Sequence, residues 1–151
     1  MDKKDVKLLD ILQKQGRISI ADLADKMNMS DTPCLRRVKK LEQDRVITAY
    51  QAQLDPQKLD LNVSAFLYIR LTDCSSEFTD KFEQEMTKLA HIMECLVVSG
   101  EYDYMLKIVA KDLLSLERLV KQHISNLDNV AQVSSTVVLK PVFSRTTLPL
   151  E

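Results

Sequence analysis

Glycine is nearly missing from this chain: Gly16 and Gly100 are the only two in 151 residues. That excludes a glycine-rich phosphate loop and a dinucleotide fingerprint, which need several glycines at short spacing. Histidine is as scarce. His91 and His123 have no Cys, His or acid neighbours at metal-ligand spacing, so no metal site is expected. No Ser/His/Asp arrangement stands out, no catalytic residue is assigned, and the chain is read as a non-enzyme without a cofactor. Cys34, Cys74 and Cys95 lie far apart, and an odd count without C-x-x-C gives no disulfide framework. A reducing cytoplasm is the expected compartment. Apolar runs last only a few residues, too short to span a bilayer. The charged start MDKKDVK is no signal peptide. Internal repeats and low-complexity segments are missing too.

What is there is a globular mixture, 45% hydrophobic and 28% charged, long enough for one ordinary domain or two small ones. The net charge of −1 argues by itself against nucleic acid, but its distribution is uneven. Residues 1–60 carry 12 Lys/Arg against 10 Asp/Glu, and the remainder carries 9 against 12.

The most informative stretch is Ser30–Leu41, SDTPCLRRVKKL. Wound as a helix at about 100° per residue, it puts Cys34, Leu35, Val38 and Leu41 on one face. Arg36, Arg37, Lys39 and Lys40 fall opposite, with Thr32 and Pro33 among them, and no acid interrupts the run from Thr32 to Leu41. A solvated surface helix carries the same pattern as a DNA-reading one, so its neighbours decide. Residues 2–15 read as a helix, with Asp2 as N-cap, Asp5 completing a capping box, and Gly16 as a left-handed stop. Ser19 caps a second helix to Lys26, and Asn28 is suited to a positive φ in the turn that follows. The third helix is capped by Ser30 or Thr32 and tolerates Pro33 in its first turn. Three such helices, the last two joined by a tight turn, make a helix-turn-helix. Val46–Leu54 is β-prone and is expected as a wing or linking strand.

Beyond Asp55-Pro56 the period changes. The spacing predicts strand 63–71, helix 76–89, strand 94–99, strand 104–110, a helix from its cap Asp112 to about Leu127, and strand 130–140. The predicted inward side of the first of these helices is Phe78, Phe82, Met86 and Leu89. The order β-α-β-β-α-β is the ferredoxin-like split βαβ arrangement. Two helices cover one sheet face, and Phe66 and Tyr68 point to the uncovered one, which suits self-association. The expected class is therefore α+β: a winged-helix-like helix-turn-helix at 1–45, a linker strand at 46–60 and a ferredoxin-like domain at 61–151.

This order resembles the Lrp/AsnC, or feast/famine, transcription regulators along essentially the whole chain. The residues that carry the resemblance are ISIADLADKMNMSDTPCLRRVKKLEQDRVI, Ala49–Pro56, SGEYDYML and VLKPVFSRTTLPL. It implies a DNA-binding head and a C-terminal domain that pairs sheet to sheet into a homodimer. Dimers of that kind assemble into tetramers or octamers, with an amino acid effector bound between them near the hairpin Gly100–Tyr104. Thr-Pro-Cys and the Leu-Pro-Leu-Glu ending are most similar to the cysteine-responsive branch.

In that context the candidate DNA residues are Ser30, Thr32, Pro33, Arg36, Arg37, Lys39 and Lys40. Thr32 and Arg36 suit base edges; Arg37, Lys39 and Lys40 suit phosphates, with Ser30 a cap that also reaches phosphate. Cys34 reads as packed core. The candidate effector residues are Gly100, Glu101, Tyr102, Asp103 and Tyr104, with the hydroxyls of Ser134 and Thr136. Loop N–H groups suit an α-carboxylate and an acid suits the ammonium group. A plain tight hairpin capped by Asp103 has the same sequence. The alternative function is an amino-acid-binding oligomerisation module whose helix-turn-helix meets protein.

Overall fold

In the computed structural model, which describes residues 1–150, the first helix is α1 (Lys3–Lys14). Its capping box is complete. The Asp5 N–H donates to Asp2 Oδ1 at 2.8 Å, and the Asp2 N–H donates to Asp5 Oδ2 at 3.0 Å. The helix does not stop on a left-handed Gly16. Gln15 is the C-cap, and its carbonyl accepts the Ile18 N–H at 3.0 Å. A tight turn over Gly16 and Arg17 replaces the expected stop, and a Cβ on Gly16 would make only ordinary contact with the Leu12 carbonyl at 3.8 Å. Helix α2 (Ile20–Met27) is capped by Ser19, whose Oγ accepts the Asp22 N–H. It ends on Asn28 at φ 52°, where Met29 N–H reaches the Ala24 carbonyl and closes the turn.

Helix α3 (Asp31–Gln43) starts at Ser30, but the Ser30 hydroxyl makes no cap bond. The usual donor to such a hydroxyl is the N–H two or three positions into the helix, and the third is Pro33, which has none. The far end is a Schellman motif built without glycine. Arg45, at φ 55°, donates to the Glu42 carbonyl and Val46 to the Leu41 carbonyl. The core of this head is Leu8, Leu12, Leu23, Ala24, Met27, Cys34, Val38 and Leu41, closed by Ile47. Leu35, expected inward, is 38% exposed instead, because it stands on the border between the buried and basic faces of α3.

Val46–Leu54 forms no strand. Among the described residues no ladder partner reaches it, and β propensity alone does not hold an isolated strand in water. Tyr50 ties it to α3 by donating to Glu42 Oε1 at 3.0 Å. Burial first, then Glu42, pushes that phenol up to about 12. A single 3-10 turn follows at Gln57–Leu59.

The second unit, Leu54–Pro141, holds β1 (Val63–Leu71), α4 (Ser76–Thr87), β2 (Ile92–Val97), β3 (Tyr104–Ala110), α5 (Leu113–Leu119) and β4 (Val130–Val137). The sheet order is β2-β3-β1-β4, antiparallel throughout. Helices α4 and α5 are both shorter than their apolar spacing predicts. Beyond α5 the chain makes a π-helical turn, Val120–Ile124, with the Ser125 N–H on the Val120 carbonyl. Phe78, in the first turn of α4, is 37% exposed, whereas Phe82 and Met86 are buried. Strand β2 begins two residues early and carries a bulge between Ile92 and Glu94. Strand β4 ends at Val137, short of Lys140.

Alternation decides the core. Ala65, Leu67, Ile69 and Leu71 of β1 meet Tyr104, Leu106, Ile108 and Ala110 of β3 beneath Phe82, Met86, Leu116 and Ile124. The other face carries Phe66, Tyr68 and Arg70, flanked by Met105 and Lys107 on β3 and by Ser134 and Thr136 on β4. These side chains have no helix over them. Residues 142–150 group with Met1–Gln53 rather than with the sheet. The contact is specific: Gln13 Nε2 donates to the Leu148 carbonyl at 2.9 Å, and the Leu148 N–H donates to Gln13 Oε1 at 2.8 Å. Glu151, the end of the Leu-Pro-Leu-Glu motif, lies outside the described residues.

Candidate nucleic-acid interface and hairpin site

Helix α3 sorts its cations by their partners. Arg37 is spoken for: its guanidinium reaches Asp2 Oδ2 at 2.8 Å and Asp5 Oδ1 at 2.7 Å, pinning α3 to the start of α1. These hydrogen bonds, Asp5 first and Asp2 second, raise the guanidinium's already high pKa. The Asp5 N–H, and then Arg37, hold the Asp2 carboxyl below its ordinary range. Arg36, Lys39 and Lys40 are exposed and make no ion pair among the described residues. They line one shallow depression with Thr32, Leu35 and Gln43. Spacings of three and four residues bring these six side chains onto one strip of the helix surface. Pro33 is half-buried beside the strip, and Ser30 is exposed at its head with its hydroxyl free of a cap bond. Leu35 and Gln43 were not among the candidates read from sequence. Leu35 looked like core because it is apolar; Gln43, last in the helix, carried no charge signal. Cys34 is fully buried, and burial together with Asp31 pushes its thiol up, so it stays protonated as a packing residue.

The hairpin between β2 and β3 is fixed at several points. Gly100 takes φ 127°, a backbone region that L side chains avoid. The Val98 N–H donates to the Asp103 carbonyl at 3.0 Å, and the Asp103 N–H to the Ile69 carbonyl at 2.9 Å. The Asp103 carboxylate is turned to the chain itself: its Oδ2 accepts the Leu71 N–H at 2.7 Å. It also stands beside Cys74, whose thiol is pushed up by burial first and by this carboxylate second. Tyr104 faces the helix layer. It is 3% exposed, its ring packs on Phe82 at 4.7 Å, and its hydroxyl donates to Glu83 Oε1 at 2.8 Å. Burial and then Glu83 raise its pKa.

Glu101 and Tyr102 go the other way. Arg70 donates from Nε to the Glu101 carbonyl and from Nη2 to Glu101 Oε1, both at 3.0 Å. Its guanidinium lies 5.6 Å from the Tyr102 ring centre, and Tyr102 lies 5.6 Å from the Tyr68 ring. Ser134 stands opposite Tyr68 and Thr136 opposite Phe66, on the open face and progressively farther from the hairpin. The candidate residues therefore divide. Glu101 and Tyr102 gather with Arg70 at the rim of the open face, Asp103 and Tyr104 form the frame, and Ser134 and Thr136 trail away along β4. Arg70, at the hub of the rim cluster, escaped sequence reading because it sits in a strand whose alternation explained it as merely outward-facing.

The Lrp/AsnC ligand binding domain model matches residues 64–148, and a winged helix-turn-helix DNA-binding model matches residues 1–48. A Bkd operon transcriptional regulator from Pseudomonas aeruginosa is 35% identical over 150 residues, spanning 99% of this chain and 98% of its own. The DNA-binding transcriptional activator DecR of Escherichia coli K12 is 31% identical over 151 residues, 100% of this chain and 99% of its own. Among solved structures, a transcriptional regulator from Neisseria meningitidis in complex with L-Met superimposes with a TM-score of 0.94 at 30% identity. That match covers 99% of this chain and 96% of the other.

Proposed function

The chain belongs to the Lrp/AsnC family of transcription regulators, and from that premise we propose that it binds operator DNA through α3 and answers to an amino acid held at the Gly100–Tyr104 hairpin. The observation that carries the DNA half is the partition of charge on α3. Arg37 is neutralised by two acids, while Arg36, Lys39 and Lys40 face solvent together. Thr32 and Arg36 read bases; Lys39, Lys40 and Ser30 hold phosphates, with Pro33 shaping the head of the helix. Arg37, expected as a phosphate anchor, serves first to hold α3 against α1. In this reading residues 1–45 make the DNA head, 46–60 the linker, and 61 onward the effector and pairing domain.

Two heads are needed to read a two-fold operator, and the open sheet face supplies the pairing surface through Phe66 and Tyr68. At its rim, Arg70 and Glu101 offer a guanidinium for an α-carboxylate and an acid for an ammonium group. In this reading Gly100 and Tyr102 shape the rim site, Asp103 and Tyr104 brace it, and Ser134 and Thr136 are its farthest members. The effector regulates by preferring one placement of the paired domains over another. No helix among the described residues is long and apolar enough to cross a membrane.

Binding to mixed-sequence duplex, followed by anisotropy from 50 to 200 mM salt, tests the DNA half. Affinity is expected to fall by ~10³ or more for a paired protein that neutralises six phosphates or more. A flat salt response sinks it. Arg36→Ala is expected to cost about 1–3 kcal/mol and to relax sequence preference. Unchanged selectivity removes Arg36 from the base-reading set. For the effector half, the common amino acids, cysteine, leucine and methionine included, are screened by thermal shift. A ligand that prefers the native state raises the melting point, and a screen in which none does so overturns that half.

A further inference from the structure

We propose that Leu35 reads the methyl group of a thymine in the major groove and so helps set operator sequence. The inference rests on the DNA-binding reading of α3 and deepens it.

Leu35 is out of place as a core residue. On a helix whose Cys34, Val38 and Leu41 are at most 5% exposed, it is 38% exposed. It borders the depression that also holds Thr32, Arg36, Lys39, Lys40 and Gln43. It lies three residues after Thr32 and four before Lys39, so these three side chains are neighbours on the surface. Its position in the N-terminal half of α3 belongs to the part of a reading helix that meets base edges.

The chemistry of the strip then assigns its members. A guanidinium suits guanine, ammonium groups suit phosphates, and an amide or hydroxyl serves either. An isobutyl group offers nothing to a phosphate oxygen. The one apolar feature in the major groove is the thymine C5 methyl. Leu35 also borders a second depression, with Leu12, Ile18 and Val38 among its lining. A short branched side chain loses less rotamer freedom on contact than a lysine or arginine stem, which lowers the ordering cost.

The test uses the full chain. Preferred duplexes are selected from a random-sequence library, and each thymine is then replaced singly by deoxyuridine, which removes only the methyl group. Wild type is expected to lose about fourfold in affinity at one thymine per half-site, the factor for one methyl group removed from water. Leu35→Ala and Leu35→Gln are expected to lose that discrimination while keeping the wild-type salt slope. Leu35→Met, which keeps an apolar tip of similar volume, is expected to retain it and guards against a folding defect. Insensitivity of wild type at every thymine, or a penalty surviving in Leu35→Ala and Leu35→Gln, overturns the inference and leaves DNA binding standing. Failure of wild type to bind any duplex in a salt-dependent way overturns the DNA reading, and this inference with it.

Discussion

Arg45 stands where most helices of this kind place a glycine. It closes the Schellman motif after α3 at φ 55°, although it has a Cβ. A left-handed backbone costs an L residue roughly 1–2 kcal/mol, partly offset because glycine is freer in the unfolded chain. Arg45→Gly is expected to stabilise the head by up to about 1 kcal/mol, seen as a higher denaturant midpoint at constant slope. A lower midpoint would mean that the arginine side chain contributes more than its backbone costs. Asn28, in the same conformation after α2, was legible from the sequence because asparagine tolerates it. Arg45 was not, because nothing local marks an arginine as a helix stop. Asp103 is a similar case. As a residue type it suits an ammonium ligand; its partner, the Leu71 N–H, lies 32 residues away.

At the scale of elements, the period of the apolar residues carried the reading. Period 3.6 marked α1, α2 and α3, and period 2 marked β1 and β3, whose bounds match the expected ranges. It failed where pairing decides: β2 shifted along β3 through its bulge, and Val46–Leu54 stayed unpaired despite its β-prone residues. The last residues show the same limit. The Gln13 side chain pairs with both backbone groups of Leu148, as a neighbouring strand would, and fastens the tail to α1. Gln13→Ala is expected to free this segment, raising hydrogen exchange at the Leu148 amide to that of an open chain. Unchanged protection would show that packing of Thr147 and Leu150, both partly buried, holds the tail without Gln13.

In the whole molecule the chain passes between its two units twice, once near Gln53 and again near Pro141. The head is therefore tethered through its linker and through its tail. The uncovered sheet face gives the pairing surface a direct test. Phe66→Arg places a charge where the proposed dimer buries an aromatic ring, while the core face of β1 is untouched. Sedimentation is expected to show a monomer, and DNA affinity to drop by ~10² or more as two linked heads become single ones. A dimer of unchanged mass would move the pairing surface elsewhere.

By itself the sequence determined the kinds and order of the main helices and of the four sheet strands, and the two-faced character of α3. Each of these follows from residue type and spacing within a few turns or one strand, where backbone geometry fixes which side chains share a face. Only the tertiary structure decided which charges are free. Arg37 and Arg36 are adjacent and chemically identical, yet one is held by Asp2 and Asp5 and the other faces solvent. The same holds for the rim cluster of Arg70, Glu101 and Tyr102, and for Leu35 at the edge of the core. Partners far apart in the chain meet through packing of whole elements, and no local pattern records that meeting.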